Sequence, residues 1–310
     1  MADILLGTSV SGRAGAAARE APAQVSLAAL AAAGSAACVN LAFVDSGIGD
    51  RGSGTGDRGS GIGDRGSGIG NRGSGVGAIR NAPTVLIEDL RALRLDARTV
   101  TGVDGPSKPL VPEMLDVLAS EAERRGIRRV GLVNGDIVVT GEAIACAVQT
   151  RRPALAFART DVGGGERDAL LRHGLDMFTF DAAFWRRERR RFRAYLLGEP
   201  VWDNVYAAVI ACHGGEIVNR EGLLLHTRHP SATGGSPYAR YVHLLAARDS
   251  SYFSLWCDYV ARLDAIGRGA VPEDADAAIQ REVFRAPGLA AEAADAARAA
   301  WWRARQVFGA

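Results

Sequence analysis

Lysine is almost absent beside arginine, cysteine occurs at only four scattered positions, and the two signs of charge nearly cancel. Each shortage excludes something. A formal net charge of +2 over 310 residues gives no global attraction to nucleic acid or to an anionic membrane. Cys38, Cys146, Cys212 and Cys257 lie far apart without Cys-x-x-Cys spacing, so neither a zinc knuckle nor a disulfide framework is indicated, and a reduced cytoplasmic setting fits. The start, Met1-Ala2-Asp3, lacks a basic n-region, so no secretory signal is expected. Residues 21–44 carry no charge, yet they are mostly alanine broken by Gln24, Ser26, Gly34, Ser35 and Asn40, too weakly apolar for a membrane span.

What is present is a globular composition, 47% apolar and 23% charged, in a chain long enough for one large α/β domain or two small ones. From Ser46 the sequence repeats every seven residues as Ser-Gly-Ile-Gly-Asp-Arg-Gly with small variations, fading at Gly77. Close to half of that stretch is glycine, so ordering it costs much backbone entropy and buries almost nothing. It is expected to be a disordered insert in a surface loop. Its Gly-x-Gly spacing is not a phosphate loop, because it merely repeats instead of joining one strand to one helix.

Either side of the repeat, the pattern alternates between strand and helix. Ile4 to Leu6 is a short apolar run ending at Gly7-Thr8-Ser9; Pro22 starts a helix with Leu27 and Leu30 on its apolar face; Cys38 to Val44 returns as a strand. Thr84 to Ile87 reads as a strand, while Leu90, Leu93 and Leu95 follow no assignable period. Pro112, Met114, Leu115 and Leu118 open a helix that ends at Arg124, Arg125 and the stop residue Gly126. Val130, Leu132 and Val133 then form a buried strand that leaves the sheet at Asn134-Gly135-Asp136. A helix at 141–149, strands at 154–158 and 177–180, an arginine-rich helix at 184–197, a helix from Trp202 and closing strands near 216–219 and 223–225 complete the alternation.

Several of these residues carry chemistry. In an open α/β sheet ligands bind at the carboxyl ends of the strands, and a short carboxylate there, Asp136, holds a hard cation that in turn holds phosphate oxygens. Lys108 lies before a helix beside that strand and either reaches a diphosphate or sits in a solvated turn. Arg159, next to an acidic strand end, steadies a phosphate or sugar hydroxyl or forms a structural ion pair. The run Arg186, Arg187, Arg189, Arg190, Arg191 and Arg193 either faces anionic lipid, making a peripheral contact, or is a solvated helix face. Asp203 caps the helix that follows Gly198-Glu199-Pro200, or points into the cleft. Trp202 offers an apolar face to a sugar ring or packs in the core.

Four blocks in order, Asn134-Gly135-Asp136-Ile137, Gly174 to Phe180, Gly198 to Asn204 and His226 to Pro230, resemble bacterial glycosyltransferases of GT-A type in the nucleotide-diphospho-sugar transferase superfamily. The resemblance implies a Rossmann-like α/β fold with a mixed, mostly parallel sheet flanked by helices, and a helical C-terminal region. On it, residues 1–45 are the first part of the nucleotide-sugar-binding domain, 46–77 the repeat insert, 78–235 the rest of the catalytic domain and 236–310 the helical region. The implied partners are a nucleotide-sugar donor and a saccharide or other hydroxyl acceptor, with no nucleic acid and no transmembrane span. The setting is cytoplasmic, with peripheral contact at the inner membrane face left open by the arginine-rich helix. Thr8, Ser9, Asn40, Lys108, Asn134 and Arg159 are implied on the donor side, Asp176, Trp202 and Asn204 toward the substrate. A divalent cation, Mn²⁺ or Mg²⁺, is implied on Asp136 with His226 or its rival His229. Asp203, or failing that Glu199, is implied as the base that takes the acceptor proton, giving inversion. Asn134 stands where a full Asp-x-Asp has its first acid, so the metal rests on one carboxylate. A sugar nucleotidyltransferase and a non-catalytic sugar-binding protein are the alternatives on the same fold.

Overall fold

The structure, a computed structural model, describes residues 2–9, 17–43, 88–93, 97–163, 169–228, 236–266 and 271–285. The seven-residue repeat, the strand expected at 84–87, and His229 lie outside these residues. A strand β1 (Ile4–Ser9), a helix α1 (Ala17–Ala32) and a strand β2 (Ala37–Phe43) form the expected opening unit, with β1 and β2 parallel. Pro22 does not start α1 but lies in its second turn. An internal proline forfeits one helical hydrogen bond, and the buried Ala23, Leu27 and Leu30 around and beyond it offset that loss. Strand β3 (Glu88–Leu93) adds in parallel to β2, giving Leu90 and Leu93 a place that their spacing did not reveal.

A short helix α2 (Ala97–Thr101) precedes α3 (Val111–Arg125), which stops where Gly126 takes φ 67° and caps the last carbonyls. Strand β4 (Arg129–Asn134) then pairs in parallel with β1. After the turn at Gly135 and Asp136 come β5 (Ile137–Val139), α4 (Gly141–Gln149), β6 (Ala154–Val162) and β7 (Ala169–Asp181). Helix α5 (Ala182–Glu188) and a 3₁₀ turn at Arg189–Arg191 lead to α6 (Trp202–Cys212), then β8 (Glu216–Val218) and β9 (Leu224–Thr227). The described residues of the C-terminal region form three helices, α7 (Ala239–Arg248), α8 (Ser250–Ile266) and α9 (Glu273–Val283).

The strand order is β3-β2-β1-β4-β7-β6-β9-β5, and β8 also pairs with β6. Strands β3, β2, β1 and β4 run parallel, whereas β7 enters antiparallel between β4 and β6. On its other edge β6 takes two parallel partners in turn, β8 along Leu155 to Phe157 and β9 along Thr160 to Val162. The sheet curls, so that β5, which directly follows β4 in the chain, pairs antiparallel with β9 at the far end. Alternation along β1 sends Leu5 to one core with α3, α5, α6 and α8, and Ile4 and Leu6 to the other with α1 and α4. A Cβ on Gly7 would meet the Leu118 side chain of α3 at 2.6 Å, so a larger residue here would require Leu118 to shift.

The arginine-rich helix expected over 184–197 ends at Glu188. Beyond the 3₁₀ turn the chain is extended, because Tyr195 O accepts from Val111 N at 2.9 Å and Leu197 N donates to Pro109 O at 3.0 Å, and these cross-links compete with a helical ladder. The arginines of the run turn to acids: Arg186 to Glu123, Arg189 to Asp116, Arg191 to Glu188 and Arg193 to Asp249. That pairing leaves the expected basic face largely neutralised. No helix among the described residues is long and apolar enough to cross a membrane.

Candidate functional site

The parallel strands place their carboxyl ends along one margin of the sheet. Thr8 is level with Asn40 of β2 and Val133 of β4, and Ser9 is level with Asn134. The hydroxyl of Thr8, 1% exposed, has no hydrogen-bond partner among the described residues. Because β7 runs antiparallel to β4, with Met177 opposite Val133, it delivers Asp176 from the middle of a strand to the end of β4. There Asn134 Nδ2 donates to Asp176 Oδ1.

From this point a circuit of six side chains runs around the margin. Arg159 Nη1 donates to Asp176 Oδ2 at 2.9 Å, and Arg159 Nε to Asp161 Oδ1 at 2.8 Å. Period-two alternation along β6 sets both residues on one face. His226 Nδ1 lies 2.9 Å from the same Asp161 oxygen, and its Nε2 faces Asp136 Oδ2 at 3.6 Å, an ion-pair distance too long for a hydrogen bond. The circuit therefore ends two residues from where it began. The curl of the sheet closes it: Ile137, next to Asp136, pairs with His226, which pairs with Asp161. His226 thus sits in strand β9, not in the expected loop. Burial disfavours its charged form, but Asp136 and Asp161 outweigh burial and the opposing Arg159, so its pKa is held above the ordinary histidine value.

Asp203 approaches from a different layer. It is not the cap of α6; that position belongs to Val201, and Asp203 lies in the first turn. The backbone amides of Asn204, of Asp203 itself and of Leu175 on β7 favour the charged form of its carboxyl. It retains some surface exposure, while loss of water around the carboxyl, then the neighbouring Asp176 charge, push its pKa up to about 7. The three amides pull the other way without cancelling this.

Other expected site residues are engaged elsewhere. Trp202, 4% exposed, packs its ring 5.0 Å from Phe178 and 5.5 Å from Tyr206, as a core tryptophan does. Asn204 Nδ2 donates to His173 O at 3.3 Å and ties α6 to β7. Lys108 and Glu199 meet each other: Lys108 Nζ lies 2.5 Å from Glu199 Oε1, which also accepts from Ser236 Oγ at 2.6 Å. With its side chain 1% exposed and two donors on one oxygen, Glu199 is a clamp, not a free base. Of Ser9 only the backbone is described.

Asp161 was noticed in the sequence only as the neighbour of Arg159; its position two residues on, hence on the same face, was the available signal. Nothing in the sequence marked Ser236. Among the described residues no group of three or more His, Cys, Asp or Glu side chains is arranged to hold a metal ion. Two donors do converge, Asp136 and His226 Nε2, and Asp161 orients the imidazole through its other nitrogen as outer-shell carboxylates do for metal-bound histidines. No protein-family model matches the chain, and no curated protein matches it.

Proposed function

We propose that the chain is a glycosyltransferase of GT-A type that moves a sugar from a nucleotide diphosphate to an acceptor hydroxyl. The observation that carries this reading is the pair of neighbouring carboxyl groups at the carboxyl margin of the sheet. Asp176 is saturated by Asn134 and Arg159, whereas Asp203 is left with a pKa near neutrality, suited to taking and releasing a proton. In the reaction, Asp203 accepts the proton of the acceptor hydroxyl, the freed oxygen bonds to the anomeric carbon, and the carbon–diphosphate bond breaks with its electron pair leaving on phosphate. Thr8 and Asn40 line the donor side, where the Thr8 hydroxyl has no hydrogen-bond partner among the described residues.

Asp136 and His226 are the residues that would hold a divalent cation. When bound, the cation offsets charge developing on the departing diphosphate.

The test is the melting temperature of the chain against nucleoside diphosphates and nucleotide sugars, with Mn²⁺ or chelator, for wild type and Asp136→Ala. A ligand that binds only the folded state raises its stability. A metal-dependent rise with one nucleotide, lost in the variant, is the expected result; no rise with any nucleotide at saturating concentration would sink the reading. In a turnover assay, release of pyrophosphate in place of nucleoside diphosphate would identify a nucleotidyltransferase. Binding without turnover, indifferent to Asp203→Asn, would identify a non-catalytic binding protein.

A further inference from the structure

The turn that precedes α6 is built under strain. Gly198 takes φ 73°, which glycine does freely, but Val201 takes φ 80°, the only non-glycine residue with positive φ among the described residues. A β-branched residue there is a steric outlier and persists only where its surroundings over-determine it. They do so from both sides. Upstream, Leu196 bridges Leu110, Leu197 N donates to Pro109 O, and buried Glu199 is gripped by Lys108 and Ser236, which come from distant parts of the chain. Downstream, Trp202 is wedged against Phe178 and Tyr206, and Val205 N donates to Val201 O at 3.0 Å to begin the helix. Two residues past the strained valine, Asp203 lies in the first turn of α6, which Asn204 Nδ2 ties to His173 O of β7 at 3.3 Å.

We infer that Glu199 is a positioning residue for Asp203: the Lys108–Glu199–Ser236 clamp fixes the turn and holds Val201 at its strained φ, which aims the first turn of α6 at β7. The inference takes from the proposed function that Asp203 is the group to be placed; Glu199 itself does not touch substrate. Valine's preferred conformations lie at negative φ, so the turn keeps this shape only while the clamp holds it. The titratable group facing Asp203 is Asp176, itself bound to Arg159.

The experiment follows the carboxyl carbon of Asp203 by ¹³C NMR titration of the full chain without substrate, in wild type, Val201→Gly, Glu199→Gln and the milder Ser236→Ala. If the clamp positions Asp203, its midpoint falls by at least about one pH unit in Glu199→Gln as the carboxyl regains water and by less in Ser236→Ala, whereas Val201→Gly, which relieves the strain at an unchanged φ, leaves it in place. Turnover falls with the midpoint, by up to about a hundredfold, the scale of a 1 Å misplacement. A midpoint unchanged in folded Glu199→Gln overturns the inference, and Ser236→Ala keeps the test open should Glu199→Gln not fold. Sugar transfer with an unmoved midpoint would leave the glycosyltransferase reading standing and remove the positioning role. A shifted midpoint in a chain that transfers no sugar would do the reverse.

Discussion

Gln280 presents its side-chain amide to Ile217 as a neighbouring strand would: Nε2 donates to Ile217 O at 2.7 Å and Oε1 accepts from Ile217 N at 2.9 Å. Ile217 lies in β8, an edge strand whose outward backbone groups would otherwise be unpaired. Asp276 holds the amide in place, accepting from Gln280 Nε2 at 3.0 Å and from Tyr259 Oη at 2.6 Å. One side chain thereby fastens α9 to the sheet.

Replacing that amide tests the fastening. Gln280→Leu keeps the volume but leaves a buried donor and acceptor unpaired, so it is expected to cost roughly 1–3 kcal/mol. Hydrogen exchange at Ile217 is expected to accelerate with it. Unchanged exchange there would mean that the edge is covered by something other than this contact.

Asp203 makes two predictions about pH. As a base it works deprotonated, so log(kcat/KM) is expected to rise with pH and level off above about 7. Its stability effect has the opposite sign. The folded pKa lies above the unfolded value of about 3.9, so the fold prefers the protonated carboxyl. That preference is fully present below about pH 4 and is lost as pH rises through 7. Asp203→Asn, which is neutral throughout, is therefore expected to match wild type below pH 4 and to exceed its stability at pH 8 by up to roughly 4 kcal/mol. Urea unfolding at the two pH values reads the difference; an equal gap at both would show that Asp203 titrates like an ordinary surface carboxylate.

Arg159 is the cation that holds two acids of the circuit together. Arg159→Met strands Asp161 and Asp176 beside one another, at an expected cost of roughly 2–3 kcal/mol, below that of a fully buried pair because Arg159 keeps some exposure. A double-mutant cycle with Asp176→Asn should return a coupling of about 1 kcal/mol or more. Strict additivity would mean that solvent already screens the contact.

Much of the alternation of strands and helices could be read from the chain, because Leu5, Val130 and Leu132 are apolar for a local reason that spacing expresses. The margin of the sheet was legible too: Asn134-Gly135-Asp136 follows directly from where β4 ends. The site's connections were not. Asp176 reaches Asn134 only through antiparallel register across 42 positions, and His226 reaches Asp136 only because the sheet curls. The basic stretch after Glu188 has helical spacing in its apolar residues, yet bonds to the 109–111 segment win over the helix. Lys108 and Glu199 were each marked out alone by scarcity or position, and neither pointed to the other. Pairings at such separations depend on the finished packing, which local pattern does not encode.

The site has two origins within the architecture. The circuit from Asn134 to Asp136 is specified by strand register, which a one-residue slip would destroy along the whole margin. Asp203 comes from a single turn in another layer, attached at a few points. Variation can therefore act on the two parts separately. Exchanging residues 196–204 would re-aim one carboxyl while the strand register that places the six side chains of the circuit persists.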